Sequence, residues 1–244
     1  MPEKLNSNLR LSIILPCYNE AGNLPLLLEA YRQVWEDLPA ELILVNNGST
    51  DHTAQVLARE LSRPELAFAR AIHIPQNRGY GHGIYTGLQA ACAEFLGFSH
   101  ADMQCSPADL FRAYHRLTVE ADPAGFLVKG KRGKRDFSAS LITQGMALLA
   151  SLVLVMKLTD INAQPKVFHR SHLERLSHPP AGFQFDLYVL YQAHRAGLRT
   201  LTIPVVFGER AHGQSKSAVN FLARYRTIWA TIVYIFRLRL GLTP

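Results

Sequence analysis

Short apolar runs alternate with amphipathic stretches over the first 130 residues of the chain. The runs Leu11–Leu15, Glu41–Val45 and Ala69–Ile74 are rich in Leu, Ile and Val, as is typical of strands that are buried in a parallel sheet. Helical spacing of apolar residues begins after Asn23 and again near Asp51. The pattern therefore predicts strand–helix–strand units, which favour a mainly parallel sheet with helices on both faces.

The alternation continues through three more predicted elements. A glycine-rich turn after the third strand opens a helix that is predicted to reach about Leu96, and Phe95–Ser99 is a weak fourth strand. Ser106 followed by Pro107 is typical of a helix start, and Ala124–Val128 is a fifth strand. In such sheets ligands bind beyond the carboxyl ends of the strands. This rule selects four polar loops, at residues 16–22, 46–51, 76–83 and 100–107.

Composition narrows the classes of protein that fit. Of the 244 residues, 48% are hydrophobic and 18% charged, which predicts a folded core and excludes a disordered chain. Three cysteines are too few for a disulfide framework or a cysteine-rich zinc site, so a reducing, cytoplasmic setting is expected. The formal net charge of +7 indicates an anionic partner. The basic residues lack a nucleic-acid-binding motif, so no nucleic acid is expected.

Two segments bear on membrane contact, and no signal peptide is expected at the amino terminus. Leu141–Leu158 is long enough to approach a span, but its polar residues favour a buried helix. Val219–Leu242 mixes aromatic residues with arginines and has no acidic residue, which predicts a helix lying on an anionic membrane surface. The alternative for that helix is packing on the domain or in a homo-oligomer.

Three polar loops carry candidate chemistry. Asn77–Gly83 has three alternate glycines before a helix, which suit a phosphate or sugar near backbone N–H groups, or simply a tight turn. Asp102 and Gln104 follow a strand and could hold Mg²⁺ or Mn²⁺, or else form an Asx turn. The basic segment Arg210–Lys216 is typical of a phosphate-contacting loop or of a solvated turn.

Together these loops resemble family 2 glycosyltransferases of the GT-A fold, in the dolichol-phosphate mannosyltransferase-like, polyprenyl-phosphate branch. The resemblance implies a Rossmann-like three-layer α/β/α domain over residues 1–217 and a C-terminal amphipathic helix over 218–244. The motifs that carry it are P-C-Y-N-E at 16–20, N-N-G-S-T-D at 46–51, N-R-G-Y-G-H-G at 77–83, H-A-D-M-Q at 100–104 and R-A-H-G-Q-S-K at 210–216.

The resemblance also implies roles for individual residues. The nucleotide and donor contacts would be Pro16, Tyr18, Glu20, Asn47, Asn77, Gly79, His100, Ala101 and Asp102, with Asn47 facing the base. Asp102 and Gln104 would hold the metal, and the catalytic set would be Asp102, Arg210 and Lys216. The acceptor phosphate would meet Arg132, Thr143 and Lys166.

The implied reaction is inverting transfer of a sugar from a UDP- or GDP-linked donor to a lipid phosphate at the cytoplasmic face of a membrane. A phosphate nucleophile is already ionised, so no strong base is needed; a saccharide hydroxyl would need one, and Asp160 is the nearest candidate. The motifs depart from the family where N-N and His100 replace carboxylates. A nucleotide-sugar-binding or regulatory protein with a degenerate fold is therefore an alternative, and a membrane-attached scaffold is another.

Overall fold

The computed structural model describes residue 6 and residues 8–133, 137–208 and 221–242. Its centre is a seven-stranded sheet with the order β3-β2-β1-β4-β6-β5-β7. All neighbouring strands are parallel except β6, which runs antiparallel to β4 and to β5. The strands are β1 (Leu11–Cys17), β2 (Ala40–Asn47), β3 (Ala69–Ile74), β4 (Phe95–Phe98), β5 (Phe126–Arg132), β6 (Lys166–His169) and β7 (Arg199–Val205).

Helices cover both faces of this sheet, as the sequence predicts. One face buries side chains of α1, α2 and α4 in a core that includes Leu28, Leu57 and Phe111. The other face buries side chains of α3, α5, α6 and α7, including Leu88 and Phe185. The helices are α1 (Leu24–Val34), α2 (Thr53–Glu60), α3 (Tyr80–Ala90), α4 (Pro107–Thr118), α5 (Phe137–Leu154), α6 (Phe185–Arg195) and α7 (Phe221–Arg239). The three-layer α/β/α arrangement is confirmed.

The predicted end of the third helix is wrong. Helix α3 ends at Ala90, and Ala91 is already extended. The segment that follows is tied down because the Ala93 N–H donates to Ser12 Oγ at 3.1 Å and the Arg170 guanidinium donates to the carbonyls of Ala91 and Ala93. The sequence also gives no warning of β6, which is only four residues long and opens with a lysine.

The prediction of a buried helix at Leu141–Leu158 is wrong in part. Helix α5 buries Ala147, Ala150 and Leu154, but Leu148 and Leu152 are 61% and 70% exposed. The helix is therefore apolar on both its packed face and its open face. Among the described residues, no helix has the length and hydropathy that a membrane span needs.

Candidate functional site

The polar loops predicted from the sequence meet at one edge of the sheet. Strands β1, β2, β3 and β4 are mutually parallel, so their carboxyl ends lie together. Two antiparallel pairings through β6 bring β5 and β7 back into the same direction as β4. The loops after β1, β2, β3, β4, β5 and β7 therefore share this edge, where ligands bind in open α/β sheets.

The loops after β1 and β2 are joined by hydrogen bonds. Asn19, which has a positive φ of 58°, accepts from the Thr50 N–H at 2.8 Å through its side chain. Its own N–H donates to Ser49 Oγ at 3.0 Å, and the Asp51 carboxylate accepts from the Ala21 N–H at 3.3 Å. The predicted donor residues Pro16, Tyr18 and Glu20 lie next to these contacts along the chain, and all three are partly exposed.

Asn47 does not line an open pocket, contrary to its predicted place against the base. Its side chain is buried, at 3% exposed, and its amide N–H donates to the Gly79 carbonyl at 2.8 Å. The amide therefore holds the glycine-rich turn to the end of β2. A carboxylate could not donate this bond, so the asparagine suits the position. Asn77 is exposed and accepts from the Gly79 N–H at 2.8 Å.

Glycine is required in this turn by conformation and by close packing. Gly79 has a φ of 106°, and a Cβ atom there would lie 2.4 Å from the Ala181 carbonyl oxygen. A Cβ atom at Gly81 would similarly lie 2.3 Å from the Pro180 carbonyl oxygen. Gly79 and Gly81 thus allow the turn to pack closely against residues 180–182, whereas Gly83 lies next to the side chains of Asn47 and Pro16.

The loop after β4 places the predicted metal ligands. Asp102 is buried, at 5% exposed, and its Oδ1 accepts from the Gln104 N–H at 3.2 Å across an Asx turn. Met103 between them has a positive φ of 64°. The Gln104 side-chain amide donates to the Gly208 carbonyl at 3.1 Å, and the oxygen of the same side chain is the other candidate ligand. The predicted donor residue Ala101 is buried beside them.

The donor set suits a hard cation that is completed by substrate. No group of three or more His, Cys, Asp or Glu side chains among the described residues is arranged to hold a metal. Mg²⁺ is commonly held by one or two protein carboxylates, with phosphate oxygens and waters filling the other positions. Asp102 and Gln104 fit that arrangement, with one carboxylate and one amide oxygen.

A cavity of about 350 Å³ joins the donor loop to the predicted acceptor residues. His100 lies on its wall, and so do Arg132 and Thr143. Burial lowers the pKa of His100 despite the opposing effect of the Asp102 carboxylate, so the imidazole is neutral at pH 7. The remaining wall is largely apolar or amide-bearing, formed by Met146, Ile161, Asn162, Phe183, Gln184, Asp186, Leu187, Phe207, Thr227, Ile228 and Thr231.

Lys166 is not presented to an acceptor phosphate, contrary to its predicted role. Its side chain has no exposed surface, and its ammonium forms a buried ion pair with Asp186 and donates to the Ala163 carbonyl at 3.2 Å. Gln164 donates to the same carboxylate at 2.8 Å and to the Tyr80 hydroxyl at 3.0 Å. An unpaired buried ammonium is costly, so the partner residue dictates where Lys166 lies.

Asp186 is a cavity residue that the sequence analysis did not single out. It lies in the first turn of α6 and is 2% exposed. The signal for it is an acidic residue inside the otherwise apolar and aromatic run from Phe185 to Leu190. Such a residue can be buried only with a partner, and here that partner comes from β6, far away in sequence.

Arg132 is held by Asp160 at a junction between two cavities. Its Nε donates to both Asp160 oxygens, at 2.8 and 3.1 Å, and Nη2 also contacts the carboxylate. Beyond it lies a second cavity of about 400 Å³. Two predicted catalytic residues, Arg210 and Lys216, lie outside the described residues.

Comparison with known families decides the classification. The model of the family described as glycosyl transferase family 2 matches residues 12–175, more than half of the chain. The chain belongs to glycosyl transferase family 2. The matched segment contains the loops after β1 to β4 and the Arg132–Asp160 pair, whereas cavity residues such as Asp186 and Phe207 lie beyond it.

Relatives of this family member include two transferases whose names contain a polyprenyl phosphate. The chain is 28% identical over 211 residues to the undecaprenyl-phosphate 4-deoxy-4-formamido-L-arabinose transferase of Pectobacterium carotovorum, covering 84% of the chain and 62% of the relative. It is 25% identical over 236 residues to the dolichol-phosphate mannosyltransferase of Pyrococcus furiosus, covering 94% and 64%. The chain therefore spans less than two thirds of the length of these two relatives.

Solved structures confirm the GT-A fold of this glycosyltransferase. Glucosyl-3-phosphoglycerate synthase from Mycobacterium tuberculosis, solved with Mn²⁺ and UDP, superposes with a TM-score of 0.71 at 21% identity, covering 96% of this chain and 81% of that one. A mannosyltransferase from Pyrobaculum calidifontis, solved with GDP-mannose and Mn²⁺, gives 0.67 at 23% identity, covering 96% and 65%.

Proposed function

We propose that this chain is an inverting glycosyltransferase that moves a sugar from a nucleotide diphosphate donor to a polyprenyl-phosphate acceptor. One observation carries the proposal: His100 of the donor loop lies in the same cavity as Arg132 and Thr143. Donor and acceptor groups can thus meet in one cavity. The names of the two lipid-phosphate relatives support the same acceptor class.

On the donor side, Asp102 and Gln104 are the residues that would hold Mg²⁺ or Mn²⁺. The two structural neighbours solved with Mn²⁺ and a nucleotide support the use of such a cation. A bound cation would supply charge stabilisation for the departing diphosphate. Tyr18 and Glu20 lie on the neighbouring loop, where a nucleotide would extend away from the cavity.

The charges of the carboxylates near the cavities favour a phosphate acceptor over a hydroxyl. Asp186 is paired with Lys166, and Asp160 is paired with Arg132. Burial opposes ionisation of Asp160, but hydrogen bonds from Arg132 outweigh it and hold the pKa of the carboxyl below its usual range. Asp160 is therefore a poor proton acceptor, and the Asp186 carboxylate is already bound by the Lys166 ammonium. A phosphate oxygen needs no base, whereas a saccharide hydroxyl does.

The chain then acts by positioning and by electrostatic stabilisation. Arg132 and Thr143 orient the acceptor phosphate, and the His100 imidazole, whose pKa is lowered by burial, lies on the wall of the same cavity. Water is displaced along the apolar wall formed by Met146 and Ile161. A phosphate oxygen attacks the anomeric carbon, the bond to the diphosphate breaks, and the configuration of the sugar inverts.

The outer surface suits a lipid-borne acceptor at a membrane. Helix α7 packs inward through Ile235 and Leu238, while Tyr225, Trp229 and Phe236 are exposed. Exposed Leu148, Leu152 and Val155 belong to the neighbouring helix α5 or directly follow it. The described part of α7 carries arginines but no acidic residue. An apolar face bordered by arginines is what an anionic membrane surface binds.

The proposal is tested by sugar transfer to a short prenyl phosphate. With Mn²⁺ and a panel of UDP- and GDP-sugars, geranyl phosphate should accept sugar and geraniol should not. Asp102→Asn should lower kcat/KM by about 100-fold, because one charged ligand of the cation is lost, and should abolish the metal dependence of nucleotide binding. His100→Ala should weaken nucleotide binding far less.

A matched control is Asp37→Asn, which removes the same charge from an exposed position and should leave all of these rates unchanged. Equal nucleotide binding by wild type and Asp102→Asn, with or without EDTA, would contradict the metal assignment. Tight nucleotide-sugar binding without transfer to any acceptor would favour the alternative of a binding or regulatory protein.

A further inference from the structure

Arg132 stands where two cavities meet. His100 lines the cavity of about 350 Å³. The cavity of about 400 Å³ is lined by Lys131, by Asp160 and by residues 143–151 of α5. Among the lining residues, Arg132 and Thr143 are common to both cavities. A group bound at this shared wall can therefore reach into both spaces at once.

The Arg132 guanidinium donates hydrogen bonds to Asp160 from one of its sides only. Nε and Nη2 donate to the Asp160 carboxylate, and the Phe207 ring lies 5.3 Å below the guanidinium carbon. In the part of the chain that the structure describes, no hydrogen bond reaches Nη1. A guanidinium has five N–H donors in a rigid fork, so fixing one side by a carboxylate fixes the direction of the free side.

Asp160 is itself held in an unusual conformation. Its φ is 45°, in the left-handed region that few residues other than glycine, asparagine and aspartate adopt. The Lys129 amine donates to the Asp160 carbonyl at 2.9 Å and to the Gly130 carbonyl at 3.0 Å. The Arg132 N–H closes the arrangement by donating to the Asp160 carboxylate at 2.8 Å.

The position of Lys129 is not explained by an ion pair. Its side chain lies inside the protein, and the residue is 2% exposed. Its two hydrogen-bond acceptors are main-chain carbonyls, and no carboxylate forms an ion pair with it among the described residues. An amine buried in this way costs free energy. Its clear structural effect is to tie the Asp160 turn to β5.

We propose that Lys129 and Asp160 are positioning residues that hold the Arg132 guanidinium at the wall between the cavities, with Nη1 directed to a phosphate. The proposal rests on the proposed function for the identity of that phosphate, the head of a prenyl phosphate. Lys129 acts on the backbone of Asp160, and Asp160 acts on Arg132. Neither residue touches the reacting atoms, so Asp160 is not a general base.

The test is binding of geranyl phosphate to the full chain by calorimetry, alongside steady-state kinetics. Asp160→Asn keeps the size of the side chain and tolerates a positive φ, but it loses the charge that orients Arg132. Lys129→Met removes the amine at similar length. The control Lys157→Met makes the same replacement at an exposed lysine. Thermal unfolding of each variant reports whether it is folded.

We expect Asp160→Asn and Lys129→Met each to raise the Kd and KM for geranyl phosphate by about tenfold or more, as loss of a charge-assisted hydrogen bond does. The KM for the donor should stay within about twofold, and Lys157→Met should match wild type. If Lys129→Met does not fold, Asp160→Asn alone decides the question.

Two results would overturn the inference. In one, Asp160→Asn lowers kcat but leaves the Kd and KM for geranyl phosphate unchanged, as expected of a base. In the other, wild type binds geraniol as tightly as geranyl phosphate, which would show that Arg132 does not contact the phosphate. If wild type binds geranyl phosphate and the variants weaken that binding, yet no sugar is transferred, the proposed function fails while the positioning inference stands.

Discussion

Single residues at the site are constrained by neighbours that are distant in sequence. Asn47 is matched to the Gly79 carbonyl, Lys166 to Asp186, and Arg132 to Asp160. In each pair a buried polar group would be costly without its partner. The motif interpretation assigned Asn47 and Lys166 to ligands because a motif identifies a residue type but does not show which neighbour takes its hydrogen bonds.

Gly79→Ala should destabilise the protein by about 3 kcal/mol, because a positive φ and a backbone clash add. Gly197→Ala is the matched control: its φ is 78°, but nothing lies within 4 Å of the added Cβ, so it should cost about 1 kcal/mol. Urea unfolding measures both. Equal losses in the two variants would show that contact with residue 181 is unimportant.

Among the elements, α7 has two apolar faces with different tasks. The inner face contributes Ile235 and Leu238 to the same core as α3, α5 and α6, and the Tyr191 hydroxyl donates to the Leu238 carbonyl at 3.3 Å. The outer face carries exposed aromatic residues. From the sequence, membrane contact and packing on the domain are alternatives for this helix. In the structure the helix packs on the domain and also has exposed apolar side chains on its outer face.

The double variant Trp229→Ser, Phe236→Ser should lose most of its binding to anionic liposomes while its melting temperature changes little, because both side chains are exposed. Binding by wild type should also weaken with added salt, since part of the attraction is electrostatic. Vesicle cosedimentation measures both effects.

Ile235→Ala makes the opposite change on the same helix. It should cost about 2–5 kcal/mol of stability, as buried large-to-small substitutions do, and leave the exposed face intact. If the wild-type chain does not bind anionic vesicles at low salt, the membrane proposal is refuted and dimer packing remains as the use of this face.

At the scale of the whole molecule, buried titratable groups set the response to acid. Burial lowers the pKa of His172 to about 4; the residue is 1% exposed and its Nε2 contacts the Val189 carbonyl at 3.1 Å. In the unfolded chain His172 therefore binds a proton near pH 6.5, whereas in the folded protein it stays neutral until the pH is near 4. Stability from this group is present above pH 6.5 and is lost as the pH falls toward 4.

His172→Phe should flatten the acid limb of the stability curve between pH 6.5 and 4. Between pH 6.5 and 4, wild type should lose on the order of 3 kcal/mol more of its free energy of unfolding than the variant does. Chemical unfolding at several pH values measures it, with His178→Phe, a substitution of an exposed histidine, as the control. Parallel acid limbs in wild type and His172→Phe would refute the assignment.

The parallel strand–helix units, the polar loops at their carboxyl ends and the family can be predicted from the sequence, because these depend on local periodicity and on motifs in order. The side-chain pairs at the site depend instead on the folded chain. The antiparallel strand β6 brings Lys166 to Asp186, and the turn at Asp160 brings a carboxylate to Arg132. Such pairings join residues 20 or more positions apart, and their free energy comes from burial that exists only once the sheet has formed. The exposed faces of α5 and α7 were likewise set by which neighbours cover them, and periodicity alone does not encode that.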